Sequence, residues 1–274
     1  MTRSPWLPVF RAIAAEIRST VAPLAGTRRG REVVGAGAGG DQTIYMDALA
    51  EQVAVAHLER VHREGRRFQL LSEELGRRDF GGSEVILLDP LDGSYNAKQG
   101  LPYYAVVLAV AAAERLGDVT LGYVLNLVSG DEFVAERGAG AYHNGERLLP
   151  EPAALGAESL AVLQLDAPAG VNPRGQSQRL IDRAQRLRQM GSAALNLCHT
   201  ATGGITLQVA PSPVRAFDLA GPLLILAEAG GVATDIEGKS LSAVSCNLES
   251  RTTLLASAFA EIHGRALQWL TPQK

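Results

Sequence analysis

Two carboxylates three positions apart, Asp89 and Asp92, stand in the stretch Val85-Ile-Leu-Leu-Asp-Pro-Leu-Asp-Gly-Ser94 and suit the holding of a hard cation. On a constrained turn they repel each other unless a positive charge lies between them, and oxygen ligands of this kind favour Mg²⁺ or Ca²⁺. The amides of Gly93 and Ser94 come next, and successive backbone N–H groups in a turn can face an anion. Metal and phosphate would then share one loop. Asp-Pro and Asp-Gly are also ordinary turn dipeptides, so the loop by itself reads equally as a strand ending.

Other residues extend the same chemistry. Ser72-Glu73-Glu74 closes a second short apolar run, Phe68 to Leu71, as a solvated strand end or as a further pair of ligands. If the two runs are parallel neighbours, their acids converge on one side of a sheet. Asp47 lies near the start of a helix, where the helix dipole alone favours an acid. Gly191-Ser192 precedes a helical stretch, Ala193 to Thr202, with Ser192 a good N-cap and the helix start a place for an anion. Asp218 reads as the N-cap of an apolar helix running to Ala229, a position that needs no further function. His57, His62, His143 and His199 have no partner at ligand spacing, which argues against a histidine metal site. Gly35-Ala-Gly-Ala-Gly-Gly40 matches GxGxxG in form, but no preceding strand supports a dinucleotide site, so it reads as a flexible loop.

The elements that must position these residues follow from periodicity. Residues 5 to 24 form an amphipathic helix and a second begins near Asp47. Val85 to Leu88 has four apolar residues, as a strand covered on both faces does, with Pro90 and Gly93 turning the chain at its carboxyl end. Tyr103 to Ala113, Val119 to Val128 and Glu132 to Arg137 read as an antiparallel meander, with His143-Asn-Gly-Glu146 a hairpin turn. Leu160 to Leu165 is a strand, Gln178 to Arg186 a helix and Arg186 to Met190 a strand. Val232 to Ile236 and Thr252 to Ala256 are strands, and Ala258 to Leu270 closes the chain as a helix. The Ala, Gly, Glu and Pro content of 150–159 marks a boundary between residues 1–150 and 151–274.

Composition excludes several classes. A chain of 274 residues, 46% of them hydrophobic, can bury a large core. Its net charge of -3 argues against nucleic acid as a partner. Cys198 and Cys246 are too few for a disulfide framework and read as buried packing residues. No apolar run reaches membrane-spanning length, and Arg11 and Glu16 interrupt the N-terminal apolar stretch where a signal peptide needs continuity. A cytoplasmic protein with no membrane partner is expected.

Taken together, Glu73-Glu74, Asp89-Pro-Leu-Asp92-Gly-Ser94, Phe217-Asp218-Leu-Ala-Gly221 and Glu228-Ala-Gly-Gly231 resemble the signature set of the inositol monophosphatase family, the Mg²⁺-dependent, Li⁺-sensitive phosphatases that include fructose-1,6-bisphosphatases. Gly138 to Gly145, Gly191 to Asn196 and Ala201 to Gly204 extend the similarity over roughly residues 40 to 260. The resemblance implies an α/β fold with an α+β half, a layered αβαβα sandwich, in which 1–150 carries Glu73 and the Asp89–Ser94 loop and 151–274 carries Asp218. It implies that Glu73, Asp89 and the Leu91 carbonyl hold one Mg²⁺ and that Asp89, Asp92 and Asp218 hold a second. Glu73 would also touch a third, and Glu74 replaces it if the register differs. Ser94, with Glu73 and Asp47, would orient the attacking water, and the Gly93 and Ser94 amides would hold phosphate oxygens in an in-line, two-metal hydrolysis.

The implied ligand is a small-molecule phosphate ester, and the family's habit is a homodimer inhibited by Li⁺. Inositol-selective members carry an acid shortly before the Asp218-type motif, whereas Ile205 to Phe217 contains none. Arg215 stands there instead, either to bind a second phosphate or to pair with the acid cluster. Tyr95 to Tyr104 looks more like archaeal dual inositol monophosphatase and fructose bisphosphatase sequences. A phosphomonoesterase acting on inositol or sugar phosphates is therefore expected. Fructose-1,6-bisphosphatase, nucleotide or NADP phosphatase, and an inactive phosphometabolite-binding regulator are the alternatives.

Overall fold

The computed structural model describes residues 4–150, 159–167 and 173–270. Helix α1 (Leu7–Val21) repeats apolar residues at helical spacing and buries Phe10, Ile13, Ala14 and Ile17 on one face. The next segment corrects the expected loop: β1 (Val33–Ala36) and β2 (Gln42–Ile44) form an antiparallel hairpin around residues 37–41. Strands of four and three residues, the first of them fully exposed, leave no periodicity to read. Helix α2 (Tyr45–Arg63) follows directly.

The larger sheet is built from β3 (Gln69–Ser72), β4 (Gly76–Asp79), β5 (Val85–Asp92), β6 (Ala105–Ala111), β7 (Val119–Asn126), β8 (Glu132–Glu136), β9 (Gly140–His143) and β10 (Glu146–Arg147), with short helix α3 (Ser94–Gln99) after β5. Its strand order is β10-β9-β8-β7-β6-β5-β3-β4. Strands β3 and β5 are parallel neighbours in register Leu71 to Leu87 and Ser72 to Leu88, so both acidic ends emerge at one edge. Strand β5 runs on past Leu88 to Asp92 through an irregularity between Asp89 and Asp92, where Pro90 has no N–H to give a ladder.

The smaller sheet has the order β12-β11-β13-β15-β14. It comprises β11 (Leu160–Leu165), β12 (Ala184–Arg188), β13 (Leu207–Arg215), β14 (Val232–Thr234) and β15 (Arg251–Ser257). Helices α4 (Pro173–Ile181), α5 (Ala193–Ala201), α6 (Ala216–Glu228) and α7 (Ala260–Leu270) pack with it. The helix expected at 178–186 thus ends at Ile181, and the strand expected at 186–190 starts at Ala184. The segment 150–159 lies outside the described residues except at its two ends.

The layers follow from alternation along the strands. In β5, Ile86 and Leu88 face a core shared with Phe10, Ile17 and Leu58 of α1 and α2. Val85 and Leu87 face the opposite core with Leu195 and Cys198 of α5 and Phe217 and Ile225 of α6. A third core joins Leu163, Val209 and Leu255 to Leu180 and Ala266 of α4 and α7. Burying each such side chain stabilises the fold by roughly 1.5–3 kcal/mol. The result is an αβαβα sandwich with α5 and α6 as its central layer. Helix α6 approaches the larger sheet most closely where a Cβ on Gly122 would lie 2.4 Å from the Gly221 carbonyl oxygen, so two glycines set the depth of the helix that carries Asp218. Both cysteines are buried.

Candidate metal centre and active site

Three elements deliver three acids to one point. Glu73 follows β3, its amide donating to the Leu88 carbonyl at 3.1 Å; Asp89 lies within β5; Asp218 sits in the first turn of α6. One carboxylate oxygen from each lies within 4.8 Å of the others. Asp218 is the third residue of its helix, not the expected N-cap, because α6 begins at Ala216, whose amide donates to the Ser250 carbonyl at 3.0 Å. Pro222, four residues on, cannot donate to the Asp218 carbonyl.

Each acid is fixed differently. Asp89 Oδ1 accepts from the Leu91 amide at 2.9 Å, which shapes the turn between the paired aspartates. Asp92 stands beside the trio and is fixed to α5: it accepts from the Ser192 hydroxyl and from the amides of Ala193 (3.3 Å) and Ala194 (3.0 Å). The anion at the start of α5 is therefore the chain's own Asp92, and Ser192 also caps the helix by accepting from the Leu195 amide at 3.2 Å. Glu74 accepts from the Thr43 hydroxyl, away from the three grouped acids. Asp47 Oδ2 accepts from the Ile44 amide at 3.0 Å as half of a capping box.

Arg215 supplies the positive charge. Its guanidinium pairs with Glu73, with Asp41 at 2.7 Å and with Asp218 at 3.4 Å, and its side chain is 14% exposed. Of the two alternatives for this residue, the ion pair with the acids is what the structure contains. Gly93 adopts φ +85°, and a Cβ there would lie 3.0 Å from the Tyr103 carbonyl and 3.2 Å from that of Gly191, so only glycine fits this turn. Ser94 begins α3, whose first-turn amides have no partner within the helix. Asn96 fastens that turn by donating to the carbonyls of Tyr103 (2.8 Å) and Met190 (2.7 Å).

Burial and like charge raise the acids. Burial, then Glu73, Asp92 and Asp218, push Asp89 well above the usual carboxylate range. Burial raises Asp218 in the same direction against the opposing pull of Arg215. Burial lifts Asp92 to about 6 despite its donors, and Asp47 to about 8. Oδ1 of Asp218 and Oδ1 of Asp47 are buried without a hydrogen-bond partner among the described residues. Converging hard oxygens on Glu73, Asp89 and Asp218, with Asp218 Oδ1 left without a donor among the described residues, fit a divalent cation.

Residues that the motifs did not reveal complete the surroundings. Glu51 accepts from the Ser72 hydroxyl and from the Leu75 amide at 2.8 Å, and its position four residues after Asp47 was the available signal. Asp41, Thr43 and Asp166 had no comparable local signal.

Comparison with known proteins agrees with this geometry. The model of the inositol monophosphatase family matches residues 4–270. A fructose-1,6-bisphosphatase/inositol-1-monophosphatase of Methanothermobacter thermautotrophicus is 32% identical over 97% of this chain and 96% of that protein. A bifunctional NADP phosphatase/NAD kinase of Methanococcus maripaludis is 29% identical over 89% of this chain and 46% of its own length. The crystal structure of an inositol monophosphatase–fructose 1,6-bisphosphatase superposes with a TM-score of 0.82 at 25% identity, covering 97% of this chain and 100% of that one. With its layered fold and grouped acids, the chain belongs to the inositol monophosphatase family, a family of phosphatases.

Proposed function

We propose that the protein is a Mg²⁺-dependent phosphomonoesterase that hydrolyses inositol monophosphate or a related sugar phosphate. The observation that carries this reading is the convergence of Glu73, Asp89 and Asp218 within 4.8 Å, beside the glycine turn at Gly93. These three acids, with the Leu91 carbonyl and Asp92 at the same turn, are the proposed ligands for two or three ions. Bound there, Mg²⁺ supplies positive charge against the phosphoryl oxygens and acidity to water.

The chain's own groups do the rest. The amides of Gly93 and Ser94 hold phosphate oxygens, while Gly191 and Ser192 brace that turn from the far side. Ser94, Glu73 and Asp47 orient the attacking water, and Asp92 keeps α5 docked against the loop. The water oxygen bonds to phosphorus as the ester P–O bond breaks, one water proton ending on the departing oxygen to give the free alcohol and inorganic phosphate, and no covalent phosphoenzyme is needed.

Fructose 1,6-bisphosphate is the second reading, favoured by the double name of the Methanothermobacter relative. The test is inorganic phosphate release with and without Mg²⁺ from inositol 1-phosphate, fructose 1,6-bisphosphate, NADP and 3′-phosphoadenosine 5′-phosphate. Mg²⁺-dependent turnover with inositol 1-phosphate foremost is expected. Intact Mg²⁺ binding with no turnover on any ester would move the assignment to a phosphometabolite-binding regulator.

A further inference from the structure

A cavity of about 340 Å³ opens beside the proposed catalytic turn, lined in part by Leu165, Asp166, Gln189, Gly191, Pro213 and Val214. It adjoins the reaction centre on two sides. Gly191 rests its carbonyl against Gly93, and Val214 immediately precedes Arg215. Asp166 lies just past the carboxyl end of β11, the edge at which α/β sheets usually bind ligands, and its amide donates to the Val209 carbonyl at 2.8 Å.

The carboxylate of Asp166 is held by neutral amides. Oδ1 accepts from Gln164 Nε2 at 2.8 Å and from Asn196 Nδ2 at 3.0 Å, and Oδ2 accepts from Gln208 Nε2 at 2.7 Å. The Tyr103 hydroxyl donates to Asn196 Oδ1 at 3.0 Å, which fixes the Asn196 amide with its nitrogen toward Asp166. An ionised carboxylate offers about four acceptor positions, so the three donors among the described residues leave roughly one unfilled. Asp166 keeps partial exposure where it borders the cavity, and the buried Gln164 Oε1 in the same cluster also lacks a partner. Neutral donors orient this carboxylate without cancelling its charge.

We propose that Asp166 is a specificity-determining residue of the leaving-group pocket. It accepts a hydrogen bond from a hydroxyl of an uncharged, monosaccharide-sized polyol and disfavours a leaving group that carries a second phosphate. The reading rests on the phosphatase assignment of the adjoining turn. Leu165, Pro213 and Val214 give the pocket apolar walls for the C–H faces of a ring, and Asp166 and Gln189 give it polarity. A hydroxyl donates to that carboxylate, whereas a phosphate dianion meets like charge there.

The test compares Asp166→Asn with wild type on inositol 1-phosphate, fructose 1,6-bisphosphate and p-nitrophenyl phosphate in Mg²⁺. The last ester has no hydroxyl to present. KM for inositol 1-phosphate should rise about tenfold or more, as for a lost hydrogen bond to a charged group. kcat/KM for p-nitrophenyl phosphate should stay within about twofold, and preference should shift toward the bisphosphate. Equal changes on all three esters, or none, would overturn the proposal. Should wild type turn over none of the three esters, the phosphatase reading itself fails, and calorimetric titration with inositol 1-phosphate then judges the pocket separately. Weaker binding by the variant supports the pocket; equal binding, or none by wild type, rejects it. Asp166→Ser, smaller and still an acceptor, serves in the same assays if the Asn variant does not fold.

Discussion

Asp47 shows how a single buried acid links site and stability. Burial, which disfavours the charge, pushes its carboxyl up from 3.8 to about 8 in the fold. The folded state therefore binds this proton more tightly, so the stability it confers is full below pH ~4 and is lost as pH rises through ~8. In metal-free buffer the melting temperature should fall between pH 5 and pH 8. Asp47→Asn keeps an acceptor for the Ile44 amide, so it should flatten that slope and gain on the order of 1–3 kcal/mol at pH 8. Calorimetry at the two pH values checks this, and an unchanged slope would assign the dependence to other acids. Arg215 has the opposite character. Arg215→Ala leaves Glu73 and Asp218 facing each other, and should cost roughly 2–4 kcal/mol in denaturant unfolding without metal. Because its guanidinium is already engaged by three carboxylates, activity on inositol 1-phosphate and fructose 1,6-bisphosphate should fall alike. A selective loss on the bisphosphate would restore the second-phosphate role.

At the scale of elements, the site depends on how three pieces of backbone are pressed together. The β1–β2 hairpin docks through the amides of Ala38 and Gly39, which donate to the carbonyls of Glu74 (3.0 Å) and Glu73 (2.8 Å). Gly39 also leaves room for Arg215, whose Nη1 would lie 2.4 Å from a Cβ at that position. Helix α6 reaches its depth through Gly122 and Gly221. Gly122→Ala places a methyl group 2.4 Å from a backbone oxygen that has no side-chain rotation to relieve it. We expect a loss of about 1–3 kcal/mol and a weaker Mg²⁺ affinity, since Asp218 moves with the helix. Denaturant midpoints and Mg²⁺ titration calorimetry measure the two effects. A loss of stability with unchanged affinity would show that α6 relaxes without moving Asp218.

For the whole molecule, the proposed ligands bridge layers: Glu73 and Asp89 belong to the larger sheet, and Asp218 to the central helical layer after β13. A cation held by all three stabilises only the assembled sandwich. Mg²⁺ at a hundredfold excess over its Kd should add about 2.7 kcal/mol. That corresponds to roughly 5–10 °C in a single transition, measured by calorimetry at pH 8. Sodium at equal ionic strength should not reproduce it, and an unchanged melting temperature in Mg²⁺ would count against the metal centre.

Much of this was legible in the chain itself. Apolar periodicity located α1, α2 and the meander, because those elements bury one regular face. Taken one at a time, Glu73, Asp89 and Asp218 read equally as strand or helix ends; their order in motifs that resemble the family's marked them as candidate ligands. Strand β13 went unread because Pro211 and Pro213 interrupt its pattern at the irregularity between Ala210 and Val214. The β1–β2 hairpin went unread because it is stabilised by docking on Glu73 and Glu74, a contact that no local pattern encodes. The sequence by itself determined the layered fold and the acids available for a metal. Only the tertiary structure decided that Asp92 caps α5, that Arg215 is held by carboxylates and that Asp166 borders a cavity at the proposed catalytic turn. Apart from the neighbouring Arg215–Asp218 pair, those outcomes depend on contacts between residues some 30 to 170 positions apart, whose partners are set when the layers pack.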